Sequence, residues 1–367
     1  MNKKINFKNL KKTIIISSII IILVLIIILI IIGIKNSEPF KEKLVDMGYT
    51  YNQAEKIETK ISSQNQEIIL QTEKNDTILN IIISKNYKDK NLSKYISYYE
   101  KNTKAPAEDI ITIINSNYDL ANTKYNSLTA KLVKEKYFIF DNLNRYLDYQ
   151  KNNKNLKIKE IISEVNSHLD KTKYIDTKET NTKEKNVMLV NKYYFLTEDY
   201  EPTDLVTLSN TYNTGTNNRL RRDAANAFIK MADAALLDNI VLKNASGYRD
   251  YKYQVTLYNN YVNRDGKQAA DTYSARPGFS EHQTGLATDI NTIDNSFENT
   301  DEFKWLSKNA HKYGFILRFP KDKEKITGYE YEPWHYRYVG KSVASQIKEE
   351  NLTLEEYYAF YIENKTE

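Results

Sequence analysis

Ser280-Glu-His282-Gln-Thr-Gly285-Leu-Ala-Thr-Asp289-Ile-Asn291 brings an imidazole, a glycine and a carboxylate into one short stretch. Read as a strand, Gly285–Asn291 points Leu286, Thr288 and Ile290 one way and Ala287 and Asp289 the other. Side chains alternate across a strand, so the carboxylate projects into a different space from the apolar residues. Gly285 supplies the backbone freedom for a tight turn that returns His282 toward Asp289. Further along lies Tyr329-Glu-Tyr-Glu332-Pro-Trp-His335-Tyr-Arg-Tyr-Val339. Pro333 disfavours helix at the residue before it, so this stretch reads as extended. A spacing of three then puts Glu332 and His335 on opposite faces, and a bend or bulge is required if both serve one site. On the other side, Ser246-Gly-Tyr-Arg249-Asp-Tyr-Lys-Tyr-Gln254 presents an arginine after a glycine turn. Its planar, permanently charged fork suits a carboxylate or a developing oxyanion.

Two imidazoles and one carboxylate form a three-ligand set that leaves a fourth position for water, the arrangement of catalytic zinc. A further carboxylate that is not a ligand can carry the proton from water to a leaving amine, and Glu332 is placed for it. Taken singly, His282 or His335 also reads as an ordinary satisfied histidine, and Arg249 as a loop charge. Cysteine is absent, so thiolate zinc sites, thiol nucleophiles and disulfides are excluded, and a metal must be held by His and carboxylate. Only four histidines occur: beyond His282 and His335, His168 reads as a surface residue and His311 as structural in a helical stretch over 303–313.

The three segments, in this order, resemble the VanY-type D-alanyl-D-alanine carboxypeptidases, zinc metallopeptidases that trim bacterial cell-wall stem peptides. The resemblance spans about 187–345. It begins at Leu189-Val-Asn-Lys-Tyr193 and Asp199-Tyr-Glu-Pro202-Thr-Asp-Leu205, and runs through Arg276-Pro-Gly-Phe-Ser280 to Glu332-Pro-Trp-His335-Tyr-Arg-Tyr-Val-Gly340. It implies one Zn2+ per catalytic domain on His282, Asp289 and His335, with Glu332 as general base and then acid. It further implies Arg249 as the oxyanion stabiliser, with Gln254 and Ser280 lining the pocket for the terminal carboxylate. Asp250 departs from the pattern, standing where many members have Ser. The implied fold is a small α+β domain, helices packed on an antiparallel sheet with the metal in its groove.

The rest of the chain places that domain. Its 367 residues suit two or three domains. The formal charge of +5 resides in Lys3, Lys4, Lys8, Lys11 and Lys12, a stretch with no acid. Everything after it is balanced, which excludes the clustered positive surface a nucleic-acid partner requires. Residues 13–34 contain 18 Ile, Leu or Val and no charge. Such a run suits an uncleaved membrane helix of roughly 33 Å, and the preceding lysines orient the N-terminus to the cytoplasm with the remainder outside. From 35 to 186 apolar residues recur at three and four spacing, predicting amphipathic helices. Within them Asn91-Leu-Ser-Lys-Tyr95-Ile-Ser-Tyr98 lies over Asn142-Leu-Asn-Arg-Tyr146-Leu-Asp-Tyr149 at an offset of 51 residues. A charged stretch at 175–186 reads as a boundary, so the catalytic domain is expected over 187–367, behind a helical stalk at 35–186, a membrane helix at 13–34 and a basic tail at 1–12. The expectation is an anchored, outward-facing zinc carboxypeptidase acting on peptidoglycan stem pentapeptides. An L,D-carboxypeptidase of tetrapeptides or a non-catalytic wall-binding protein is the alternative.

Overall fold

The computed structural model describes residues 17–29 and 39–364. The apolar run at 13–34 falls partly outside them, and its described part, 17–29, is helical with exposed side chains. Among the described residues no helix is long and apolar enough to cross a membrane, so the expected spanning helix is not shown. The basic tail at 1–12 lies outside the described residues.

The chain divides into two compact units, 1–134 and 135–367. The first is helical, with Leu44, Ile57, Ile78, Ile81, Tyr95 and Ile110 buried along its amphipathic helices. It includes the earlier copy of the sequence repeat, a helix Leu92–Lys101 followed by Ala107–Asn115. The later copy, Leu143–Asn152 and Ile158–Asn166, matches it at the same offset but belongs to the second unit.

The bonds around one asparagine of each copy correspond. Asn115 Oδ1 accepts from Asn91 at 2.8 Å and from the Tyr95 hydroxyl at 2.7 Å, and its amide donates to the Asn86 carbonyl at 2.9 Å. In the later copy Asn166 accepts from Asn142 at 3.0 Å and from Tyr146, and donates to the Tyr137 carbonyl at 2.9 Å. In each copy one asparagine, half-buried at Asn115 and buried at Asn166, ties the paired helices together through both its oxygen and its amide.

The later copy lies in the second unit with the C-terminal region, and its side chains bond to that region. The Ser163 hydroxyl donates to Glu356, Tyr137 to Glu350, and Lys325 pairs with Glu164. His168 is also not a free surface residue. It sits at φ 67° and packs on Tyr193 and Tyr194 at ring-centroid distances of 5.8 and 5.6 Å.

Eight strands occur among the described residues. β1 (Lys178–Glu179) pairs with β2 (Tyr194–Phe195) in parallel, and β3 (Leu205–Thr207) pairs with β4 (Arg219–Arg221) antiparallel. The remaining four form one antiparallel sheet: β5 (Asn244–Ser246), β6 (Ala287–Ile290), β7 (Phe315–Leu317) and β8 (His335–Tyr338), in the order β5-β6-β8-β7. Helix Arg222–Leu237 buries Ala224, Ala225, Phe228, Met231, Ala232 and Ala235, a single stripe at helical spacing. This stripe shares a core with Leu286, Ile290, Phe315 and Tyr336 of the sheet region. The catalytic part is therefore α+β, as its motifs imply, with a helical region ahead of it. One face of β6 joins this core and the other carries Asp289, so all four of its residues are buried.

Candidate active site

Asp289 and His335 are direct cross-strand partners on β6 and β8, so the sheet register itself sets them side by side. His282 arrives from a short 3-10 turn, Glu281–Thr284, that ends on Gly285 at φ 67°. A Cβ at Gly285 would lie 2.9 Å from Leu205 and 3.0 Å from Arg221, so glycine is required there by both conformation and space. Glu332 comes from the turn before β8. Its carbonyl accepts the His335 amide at 3.2 Å, and its own amide donates to the Phe319 carbonyl at 3.1 Å. This is the bend that an extended reading with a spacing of three demands.

The distances are compatible with one ion. His335 Nδ1 lies 3.0 Å from Asp289 Oδ1, and His282 Nε2 lies 3.4 Å from Asp289 Oδ2. Donors each about 2.0 to 2.2 Å from a tetrahedral ion stand roughly 3.3 Å apart. All three ligand atoms fall within 4.8 Å of one another. His282 Nδ1 faces the Gly247 carbonyl at 2.7 Å, which leaves Nε2 turned into the cluster, buried and without a hydrogen bond among the described residues. An orphaned buried imidazole nitrogen aimed at a carboxylate and a second imidazole is the donor arrangement a metal satisfies.

Around it, the Arg249 guanidinium stands 3.6 Å from Asp289 Oδ2 and 3.4 Å from Gln254 Oε1, while the Gln254 amide donates to the Ala275 carbonyl at 2.8 Å. Gln254 thereby holds Arg249 as well as lining the site. Ser280 is buried at the same wall. Asp250 caps helix Tyr251–Asp265, accepting from the Tyr253 amide at 2.7 Å, a task Ser performs equally well, so its departure from the motif is neutral. All seven residues singled out in the sequence line one cavity of about 670 Å³, together with Phe319, Tyr331 and Trp334.

The buried groups of the site differ in their electrostatics. Burial raises the Glu332 carboxyl to about 7, with His335 pulling the other way and Asp289 adding to the rise. For Asp289 burial is outweighed by His282 and His335, and its carboxyl is held well below the usual range. His282 is pushed down to about 4 by burial and by Arg249. Burial also opposes charge on His335, but Asp289 and Glu281 outweigh it and raise the imidazole to about 9.

Sequence reasoning left one part of the site without a role. Directly behind the cluster, Glu281 is bonded to Arg318 and Arg337, each at 2.7 Å, and Arg318 continues to Glu355. Arginine at an inward position of β8 is the signal that could have flagged it, since an unpaired buried charge is not tolerated.

The family profile described as VanY, D-alanyl-D-alanine carboxypeptidase, matches residues 217–341. The YodJ protein of Bacillus subtilis (strain 168) is 46% identical over 196 residues, 51% of this chain and 72% of that one. Among solved structures, the LdcB LD-carboxypeptidase is 43% identical, with 50% of this chain and 90% of that one covered at a TM-score of 0.48. A zinc complex of a mutant vancomycin-resistance D,D-pentapeptidase VanY from a VanB-type cassette is 37% identical, with 47% and 98% covered at a TM-score of 0.41. The chain belongs to the VanY family of D-alanyl-D-alanine carboxypeptidases, and its catalytic part is that of a peptide hydrolase.

Proposed function

We propose that this chain is a zinc-dependent D,D-carboxypeptidase that removes the terminal D-alanine from peptidoglycan stem pentapeptides. The observation that carries the reading is the buried His282, Asp289 and His335 cluster with Glu332 beside it, 3.6 Å from His335 Nδ1. One Zn2+ held by those three side chains would polarise the scissile carbonyl and acidify the attacking water. Glu332, buried beside the cluster, is placed to accept that water's proton and return it to the leaving amine. Arg249, steadied by Gln254, offers N–H groups to the negative charge that develops on the carbonyl oxygen. Ser280 and Gln254 border the place of the terminal carboxylate, and the cavity leaves room for the preceding stem residues.

Peptidoglycan lies outside the cytoplasm, and the uncharged run at 13–34 with lysines ahead of it supports an outward-facing domain held at the membrane. The test is the full chain in detergent micelles with zinc, incubated separately with muramyl pentapeptide and tetrapeptide, read by mass spectrometry with and without chelator. Chelator-sensitive loss of one alanine from the pentapeptide alone is expected. Loss from the tetrapeptide would move the assignment to L,D-carboxypeptidase, and no loss from either would reject the substrate class.

A further inference from the structure

Glu281 has no part in the proton transfers above, yet it is among the most completely enclosed carboxylates of the chain, 4% exposed. Its two oxygens have different surroundings. Oε1 accepts from Arg318 Nε and Arg337 Nη1, both at 2.7 Å. Oε2 has no hydrogen-bond partner among the described residues and points at His335 Nε2, 3.6 Å away. That nitrogen is equally buried and equally without a partner. Each such atom left unpaired costs about 1 to 3 kcal/mol, and a sub-ångström closure would satisfy both.

The chemistry of the ligand gives the pairing its purpose. His335 turns Nδ1 toward Asp289 and the cluster. A neutral imidazole that gives one nitrogen's lone pair to a metal carries its proton on the other, so Nε2–H needs an acceptor. Glu281 Oε2 is the acceptor in place. The two arginines explain how a carboxylate is kept there: Arg318 is anchored by both oxygens of Glu355 at 2.6 and 3.0 Å, and Arg337 by the Met188 carbonyl at 2.8 Å. Four buried charges of zero net sum are no better for stability than apolar residues of the same volume. Their arrangement is accounted for by what it aims.

Building on the zinc reading, we propose that Glu281 is a positioning residue for the metal site, fixing the tautomer and ring orientation of His335 by accepting its Nε2 proton.

Zinc dissociation constants of the full chain, measured by competition with a chromophoric chelator, test this. Glu281→Gln should bind zinc about 10- to 100-fold more weakly than the wild type. Glu355→Gln, which loosens the same network from its far end, should stay within about 3-fold. An unchanged constant for Glu281→Gln would overturn the proposal, and so would equal weakening by both variants, which would mean the network acts only through overall stability. Melting of the metal-free forms guards that distinction, because a merely structural Glu281 would lower the melting temperature without moving the constant. Should Glu281→Gln fail to fold, Glu281→Asp keeps the charge for the arginines but withdraws the reach to His335. At least 10-fold weaker zinc binding is expected there, and wild-type affinity would overturn the role. A wild-type chain that takes up no zinc would reject the zinc reading itself, and with it this role for Glu281.

Discussion

Two clusters of buried charge stand back to back in the catalytic part, and they are built on opposite terms. In the rear cluster of Arg318, Arg337, Glu355 and Glu281, every guanidinium nitrogen and both oxygens of Glu355 are bonded. In the front cluster of His282, Asp289, His335 and Glu332, His282 Nε2 and the Nε of neighbouring Arg249 are buried with no hydrogen bond among the described residues. Saturated buried charge holds a shape, whereas polar atoms buried and left open are sustained for something that enters. The clusters meet at Glu281, whose one oxygen belongs to each. If the comparison is sound, damage in front should remove chemistry and spare the fold, and damage behind should do the reverse.

The largest effect is expected in front. On the proposed roles, Glu332→Ala keeps the three zinc-holding side chains and removes the proton carrier, so kcat/KM for D-alanine release should fall by about 10³ to 10⁴ with zinc content unchanged. Metal analysis of the purified variant checks this beside the rate. Loss of zinc would make Glu332 part of the metal's own shell and break the division of roles.

Behind, Arg318→Met should leave Glu281 and Glu355 facing each other without their shared cation. Removing one partner of a fully buried ion network costs about 3 to 5 kcal/mol, because the remaining charges cannot reach water. Arg318 is 1% exposed, so no solvent screens the loss. Urea unfolding measures it, and a change under about 1 kcal/mol would show the rear cluster to be dispensable to the fold.

How much of this was legible follows from distance along the chain. The turn at Gly285, the strand carrying Asp289 and the bend between Glu332 and His335 are local, and dihedral freedom, period-two alternation and proline sterics reveal them. The helical repeat was legible because substitution kept its internal hub: Asn115 and Asn166 stand 51 residues apart with corresponding bonds. What the later copy touches was not legible, because Ser163 and Glu164 look like any exposed helix surface until Glu356 and Lys325 are seen opposite them. Their counterparts in the earlier copy are Thr112 and Ile113. For the same reason Arg318 with Glu355 stayed hidden until folding paired them.

The smallest effect sharpens the contrast through pH. In the metal-free protein His335 is raised to about 9 from its ordinary 6.5, since Asp289 and Glu281 outweigh the opposing cost of burial. A group whose pKa is raised by folding stabilises the native state fully below its unfolded value, and that stabilisation fades as pH climbs toward the folded one. Other groups narrow the useful window. Glu332, raised by burial to about 7, loses its own contribution mainly between 4.5 and 7, and His282, lowered by burial and Arg249 to about 4, has the opposite sign over roughly 4 to 6.5. Lys192, lowered by burial to about 8, favours the native state increasingly above that pH. Between pH 6.5 and 8 the His335 effect is therefore the clearest, a loss on the order of 2 kcal/mol in the chelated protein. Zinc should abolish or reverse it, because a ligating imidazole has already given up the proton and metal affinity rises with pH. Urea midpoints at pH 6.5, 7.25 and 8, with chelator and with zinc, decide the matter. A chelated protein that holds or gains stability across that window would mean that His335 is not charged beside Asp289, and the front cluster would then lack the open, metal-ready character that separates it from the rear.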